Sequence, residues 1–371
     1  MLIINFDGIE KFLQKCENKK VVCYGAGKHF ITILNRYKNI ELSNVISYMI
    51  DADEKKHGKT ISFDNKEWVI MPVENFRNIA QTNEIVLLIT IEKCIKEVVL
   101  ALDSNEQFDG VSTYIASYLS EKIGMEKDIA FENTIEEEIP RKIHYCWFGG
   151  KELPEKYKKY IDTWRILNPD YEILKWDETN YDVGKNKYMK QAYDLGKWAF
   201  VSDYARVDII NEHGGIYLDC DIEAIKPFHQ LLKNKFFCGF EYGQMINLGV
   251  GFGSIPSHPY LKDLLNLYAD LNFIEDGVIN YTPCTVYQTE LIEKYGIKRN
   301  GFFQNTELVT VFPKNVFSPI SYYHIGDASD TTISIHHYDA SWIDSSYLET
   351  WEYLRDVGKW LYERYKRQNN Y

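Results

Sequence analysis

Short apolar runs separated by helix-spaced stretches set the rhythm of the first third of the chain. Val21-Val22-Cys23-Tyr24 has the length and composition of a buried strand, and it runs through Gly25-Ala26-Gly27 into a helical stretch reaching Tyr37. Val45 to Ile50 reads as a second strand, ending at Asp51, and Ile85 to Thr90 as a third. Strands alternating with helices predict a parallel sheet with crossover helices, so residues 1–120 are expected to form a Rossmann-like domain. Over 121–138 the rhythm stops and acidic residues accumulate, which marks a linker. A new strand starts across Ile139–Tyr145, and the mixture of strands and helices resumes. The second domain, 139–371, is therefore expected to be α/β as well. The chain closes on helical spacing (Leu348, Trp351, Leu354, Val357, Trp360, Leu361, Tyr365) with a basic end at Arg364, Lys366 and Arg367. That stripe predicts a terminal helix packed on the second domain; the alternative is a helix lying on a membrane surface.

The most informative stretch runs from Phe200 to Ile225 and divides at Gly214-Gly215. Before the glycines, Val201, Ala205, Ile209 and Ile210 fit a helix, which a glycine in left-handed conformation can close. Asp203 and Arg206, three residues apart, share one face of it. After the glycines, Ile216, Leu218, Cys220 and Ile222 alternate with Tyr217, Asp219, Asp221 and Glu223. That period of two predicts a strand with Asp219 and Asp221 on the same face. Two adjacent carboxylates repel unless a cation neutralises them, and hard oxygen ligands favour Mg²⁺ or Mn²⁺. A bare D-x-D is common by chance and would ordinarily be a solvated strand face. Likewise, a lone Asp203–Arg206 pair would ordinarily be a surface ion pair. The combination of glycine stop, apolar strand and charged helix sets this stretch apart.

Composition narrows the field further. A chain of 371 residues with 45% hydrophobic content supports two globular domains. Its 28 Tyr and 8 Trp suit stacking on sugars or bases as well as core packing. The formal net charge of -12 argues against a nucleic-acid partner. An anionic ligand would need local help from a cation, an Arg or a helix N-terminus. Seven cysteines without a CxxC pair predict buried free thiols in a reducing cytoplasm. The N-terminal residues lack the pattern of a signal peptide, and no apolar run approaches the roughly 20 residues of a membrane span.

The run Ser202 to Asp221, S-D-Y-A-R-V-D-I-I-N-E-H-G-G-I-Y-L-D-C-D, resembles the signature of glycosyltransferase family 32. That family comprises the DXD-containing sugar transferases of bacterial capsules and surface polysaccharides and of fungal mannosylation, and the clostridial glucosylating toxins share a similar core. Ile139–Gly150 (IPRKIHYCWFGG) resembles the family's opening strand, and His336–Trp342 (HHYDASW) its closing motif. The resemblance spans roughly residues 139 to 345. It implies a GT-A fold, a nucleotide-sugar donor (a UDP-sugar favoured), Mn²⁺ or Mg²⁺, and transfer with retention of configuration. A glycan or lipid-linked glycan hydroxyl would be the acceptor, reached in the cytoplasm or at the inner face of the membrane. It further implies that Trp147 stacks on the base and that Asp203 and Arg206 hold the donor sugar. Asp219 would contact the ribose or sugar and assist the metal, with Asp221 as direct ligand. His337 would be the third metal-side group, with Ser341 and Trp342 at the diphosphate. Strand register decides between His336 and His337; the Ser-Trp pair four residues on favours His337. Asn247 resembles a sugar-contacting Asn. Thr282-Pro283-Cys284 departs from the family's usual Thr-Gly-Pro, on the acceptor side.

In the first domain, Gly25-Ala26-Gly27 followed by a helix resembles a dinucleotide fingerprint, with Asp51 where a ribose-binding acid would stand. Phe30 occupies the third glycine position. One reading is a nucleotide site built on Gly25, Gly27 and Asp51; the other is a packing or assembly module, which could carry a homo-oligomer interface. The remaining alternatives for the whole chain are a nucleotide-dependent oxidoreductase or epimerase, lacking a Tyr-x-x-x-Lys base, and a non-catalytic nucleotide-sugar-binding protein.

Overall fold

The computed structural model describes residues 1–120, 129, 136–241, 244–339 and 345–370. Most of the acidic linker lies outside these, as do Ser341 and Trp342. The chain forms two units, one taking Met1–Met125, Ser321–Gly326 and Asp344–Tyr371, the other Glu126–Ile320 and Asp327–Ile343.

The first unit is built on strands β1 (Ile3–Ile4), β2 (Lys20–Tyr24), β3 (Ile46–Ile50), β4 (Thr60–Phe63), β5 (Lys66–Met71), β6 (Ile85–Ile89) and β7 (Ser112–Ile115). Their order is β1-β7-β6-β2-β3-β5-β4, and every pair is parallel except β4–β5. Helices α1 (Gly8–Cys16), α2 (Lys28–Arg36) and α3 (Ile95–Asp103) supply crossovers. The sheet is covered on both faces: Val22, Tyr24, Leu87 and Ile89 enter one apolar cluster, while Val21, Cys23, Val86 and Leu88 enter another. That two-sided burial is why these strands read as continuous apolar runs.

The terminal helix, Ser345–Gln368, belongs to this unit, not to the second domain. Leu354, Val357, Leu361 and Tyr362 pack into the cluster holding Phe6, Leu87 and Ile115. Arg364 pairs with Asp103 and donates to the Leu2 carbonyl at 2.7 Å. Gln368 Oε1 accepts from the Ile4 amide at 3.0 Å. The stripe that suggested either a membrane surface or the second domain is thus spent within the first unit.

The second unit has a mixed sheet. In chain order its strands are β8 (Lys142–Cys146), β9 (Glu172–Trp176), β10 (Gly215–Tyr217), β11 (Ile222–Ala224), β12 (Phe236–Gly239), β13 (Phe252–Ser254), β14 (Ile274–Glu275), β15 (Val278–Ile279), β16 (Gln304–Asn305), β17 (Thr310–Phe312) and β18 (Ser334–His336). The main sheet runs β16-β17-β12-β13-β10-β8-β9, with β11 and β18 forming a separate antiparallel pair. Helices are α4 (Glu155–Leu167), α5 (Lys187–Asp194), α6 (Trp198–His213), α7 (Pro259–Asp270), α8 (Cys284–Ile292) and α9 (Lys314–Phe317). Helix α6 is buried nearly all round, through Val201, Ala205, Val207, Ile209 and Ile210.

The Gly214-Gly215 step is required by geometry. Both residues have positive φ (62° and 106°), and a Cβ on Gly215 would stand 2.9 Å from the Lys142 carbonyl oxygen. The strand predicted after it is not continuous. β10 ends at Tyr217, the Ile222 amide donates to the Asp219 carbonyl at 3.1 Å, and the chain turns before β11. Asp219 and Asp221 therefore sit on a turn joining two sheets rather than on one strand face. The alternation in sequence arises because Ile216, Leu218, Cys220 and Ile222 are all buried, whatever the path between them.

Candidate active site

Strands β8 and β10 are parallel neighbours, and their carboxyl ends deliver Trp147 and the Leu218–Asp221 turn to one edge of the sheet. That edge is where open α/β sheets place their ligands. The turn is pinned from both sides. The Leu218 amide donates to the His144 carbonyl at 3.1 Å, and the Asp219 amide donates to the Gly249 carbonyl at 3.0 Å.

Helix α6 supplies the cationic partner. Arg206 Nη2 lies 3.1 Å from Asp203 and 3.3 Å from Asp219 Oδ1, and its guanidinium sits over the Tyr217 ring. The Arg206 side chain is 5% exposed and that of Asp203 10%, whereas Asp219 is 31% exposed. The pair, which on its own would ordinarily lie on the surface, is thus buried and aimed at the acidic turn. Tyr217 Oη donates to Asp219 Oδ1 at 3.0 Å. Burial pushes the Asp219 carboxyl up to about 6, with the Asp221 charge adding to that and Arg206 opposing it. Burial raises Asp203 also, against the pull of Arg206 and the Cys284 thiol.

Asp221 has different surroundings. Its Oδ2 accepts from the Asp339 amide at 3.0 Å and lies 3.3 Å from His336 Nε2. Burial alone would raise its carboxyl; the His336 imidazole and these hydrogen bonds outweigh that and hold it at about 2. The histidine beside Asp221 is therefore His336, not His337. β18 pairs His336 with Ile222, and the next residue turns the other way. The His337 ring stacks on Tyr160 of α4 at 4.3 Å, and its Nε2 meets Glu223 at 2.8 Å.

Two further groups, Glu241 and Gly249, escaped the sequence reading. Glu241 Oε1 accepts from His336 Nδ1 at 2.8 Å and Oε2 from Asn247 Nδ2 at 2.7 Å. Gly249 sits at the centre: a Cβ there would be 2.8 Å from Arg206 Nη1, 3.0 Å from Asn247 Oδ1, and closer still to Asp219 Oδ2. Cys284, opening α8 and half-buried, was read in sequence only as a departure from the family's motif; it bonds Asp203, and desolvation pushes its thiol pKa well up. No motif flags Glu241; Gly249 is legible only as one of several glycines in MINLGVGFGS. Of the predicted residues, Asp203, Arg206, Asp219, Asp221 and Asn247 come together. Trp147 is half-buried past the end of β8, with its Nε1 donating to the Lys151 carbonyl at 2.7 Å.

Among the described residues no three His, Cys, Asp or Glu side chains close on one metal position. Asp219 and Asp221 still fit a hard divalent cation of the kind bound through one or two carboxylates with phosphate and water completing the sphere. Burial raises the Asp219 carboxyl first and the Asp221 charge adds to it; a bound cation would relieve the second influence, which Arg206 and His336 already oppose.

Comparison with known proteins fits this arrangement. Residues 154–237 match the family model described as a glycosyltransferase sugar-binding region containing a DXD motif. The chain carries a DXD-type glycosyltransferase region. The match takes in Asp203, Arg206, Asp219 and Asp221 and stops short of Trp147, Glu241 and His336. Inositol phosphoceramide mannosyltransferase 1 of Schizosaccharomyces pombe is 26% identical over 147 residues, 37% of this chain and 44% of that protein. An uncharacterized glycosyltransferase of Acanthamoeba polyphaga mimivirus is 32% identical over 167 residues, 42% of this chain and 65% of that protein. Among solved structures, PaToxG glycosyltransferase aligns with a TM-score of 0.35 at 18% identity, over 43% of this chain and 70% of that one. The chain thus spans less than two thirds of the length of either curated relative.

The glycine loop of the first unit has other uses for its amides. The Ala26 amide donates to Asp51 Oδ2 at 2.8 Å, and the same oxygen takes Lys56 Nζ at 2.8 Å. The Gly25 amide donates to the Ile50 carbonyl at 2.9 Å. Gly25 has φ +108°, and a Cβ there would lie 2.5 Å from Ile91 Cγ2, whereas Gly27 faces open space. Gly25 serves a close approach between β2 and the segment after β6, and Asp51 ties the loop together.

Proposed function

We propose that this chain is a metal-dependent, retaining glycosyltransferase that moves a sugar from a nucleotide-sugar donor, a UDP-sugar favoured, to a hydroxyl of a glycan or glycolipid in surface polysaccharide assembly. The observation that carries the reading is the convergence of Asp203, Arg206 and Asp219 with the Asp221–His336 pair at the carboxyl edge of a parallel strand pair. The name of the inositol phosphoceramide mannosyltransferase relative supports a glycolipid acceptor.

In this reading Arg206, fixed by Asp203 and Asp219, keeps N–H donors for the donor's sugar hydroxyls or diphosphate. Asp203 accepts from a sugar hydroxyl, and Trp147 lies under the base. A divalent cation, Mn²⁺ or Mg²⁺, would be held by Asp219 and Asp221 and would stabilise charge on the departing diphosphate. The bond from the anomeric carbon to the phosphate oxygen breaks, and a bond to the acceptor oxygen forms on the same face. The acceptor proton passes to the leaving phosphate. No carboxylate is singled out as an enzyme nucleophile, which favours this route over a glycosyl-enzyme. Seven free cysteines support a reducing, cytoplasmic setting, although Cys94, at the start of α3, is exposed and Cys284 half-buried, against the expectation that all are buried. No helix among the described residues is long and apolar enough to cross a membrane.

The test is thermal stabilisation by UDP, GDP, CMP and NAD, each with and without Mn²⁺, on wild type and Asp221→Ala. A Mn²⁺-dependent shift with one nucleoside diphosphate, lost in the variant, is expected. A metal-independent shift with NAD, unchanged by the substitution, would move the chemistry to the first unit and overturn the reading.

A further inference from the structure

We propose that Glu241 is a positioning residue for both carboxylates of the acidic turn, acting through His336 on one side and Asn247 on the other. The inference rests on the transferase reading above and adds a residue to it.

Glu241 is an unusual carboxylate. Its side chain is 10% exposed, one oxygen meets His336 Nδ1, the other meets Asn247 Nδ2, and the Tyr338 side chain also bonds the carboxylate. A buried carboxylate is costly unless hydrogen-bonded, and here the bonds to His336 and Asn247 lead to the site. On one side, accepting from the Nδ1–H fixes the ring orientation and turns the Nε2–H onto Asp221 Oδ2, 3.3 Å away. On the other, Asn247 Oδ1 accepts from the Gly249 amide at 2.7 Å, and the Gly249 carbonyl accepts from the Asp219 amide at 3.0 Å. An unbroken chain thus runs Asp221–His336–Glu241–Asn247–Gly249–Asp219, with Glu241 in the middle. The spacing of the two carboxylates that would face a cation is set by this chain as well as by the turn between them. Supporting carboxylates of this kind orient a histidine and tune metal affinity, and their loss costs about 10–100-fold in affinity or activity.

The experiment measures Mn²⁺ binding by calorimetry, alone and with UDP or GDP, and the Mn²⁺ activation of donor turnover. It uses wild type, Glu241→Gln, Glu241→Asp, His336→Gln and the Glu241→Gln/His336→Gln double variant. Melting temperature is recorded for each. Glu241→Gln is expected to weaken Mn²⁺ binding by about 10–100-fold, with kcat largely restored at saturating Mn²⁺ and Glu241→Asp intermediate. In the His336→Gln background the same change should add less than it does alone, because the His336 branch is already broken and only the Asn247 branch is left to lose. A merely structural Glu241 would lower the melting temperature and leave the metal titration where it was. Superimposable Mn²⁺ curves for wild type and Glu241→Gln overturn the proposal, as do fully additive effects in the double variant. If Glu241→Gln does not fold, an unshifted curve for Glu241→Asp overturns it equally. Wild type that binds no Mn²⁺ with any nucleotide sinks the transferase reading itself, a different failure.

Discussion

Replacing Gly249 with Ala adds one methyl group at the point where the site's charged groups converge. That methyl carbon would stand 2.8 Å from Arg206 Nη1 and 3.0 Å from Asn247 Oδ1, and nearer still to Asp219 Oδ2. Comfortable carbon contacts begin at about 3.5 Å, so the Arg206 end must give by more than about half an ångström and the Asp219 carboxylate by about 1 Å. Neither is free to do so without loss. Asp219 is held by Tyr217 Oη and Arg206, and Arg206 Nε is tied to the Ser202 carbonyl at 3.1 Å. The atoms in the way are side-chain ends rather than backbone, so the fold should lose only about 1 kcal/mol, the low end for overpacking. Catalysis should suffer more. A misplacement of about 1 Å costs on the order of 10²-fold, which is about 2.7 kcal/mol of barrier. The assay is donor turnover at saturating Mn²⁺ beside a melting curve. A Gly249→Ala enzyme with turnover within about threefold of wild type would refute the reasoning, since Asp219 and Arg206 would then not need their present positions.

Other outcomes follow from the same geometry. His336→Asn should reduce turnover by about 10²-fold, in the range of supporting groups, while His337→Asn, whose ring meets Glu223 and Tyr160 rather than Asp221, should retain most activity; the reverse order would restore His337 as the metal-side histidine. In the first unit, Gly25→Ala should destabilise, because it combines positive φ with the Ile91 methyl 2.5 Å away, whereas Gly27→Ala should leave the melting temperature unchanged; a dinucleotide site would instead make Gly27→Ala abolish a ligand-induced shift. Arg364→Ala removes the partner of a largely buried Asp103 and should cost about 3 kcal/mol by denaturant unfolding. His144 is fully buried: Nδ1 accepts from Trp176 Nε1 at 3.0 Å, and Nε2 donates to the Gly214 carbonyl at 3.0 Å, which fixes it as neutral. Burial, with the nearby His213 and Lys142, lowers its pKa to about 3 from the ordinary 6.5. The unfolded chain therefore takes up this proton first, so the contribution is fully present above pH 6.5 and is lost as pH falls toward 3, at about 1.4 kcal/mol per pH unit. An imidazole resonance of His144 titrating near 6.5 in the folded protein would contradict this.

Elements whose burial is decided locally were legible from sequence. The strands ending at Tyr24, Ile50 and Ile89 were readable because a parallel sheet covered on both faces leaves an uninterrupted apolar run. The helix carrying Asp203 and Arg206 and its Gly-Gly stop were readable because positive φ at a helix end demands glycine. The sequence alone thus determined two α/β halves, the residue types of an acidic site, and their order. Three matters were decided only in three dimensions. Alternating burial from Leu218 to Ile222 mimics a strand, yet backbone hydrogen bonds to His144 and Gly249 turn the chain there. The choice of His336 over His337 is a one-residue register, which depends on how β18 meets β11. Glu241 and Gly249 are joined to Asp221 and Asp219 only by chain folding, because a hydrogen bond between residues 95 positions apart leaves no periodicity to read. For the same reason the terminal helix could be recognised as amphipathic but not assigned to a core. Its stripe specifies that apolar surface must be covered, and only the tertiary structure shows that the first unit covers it.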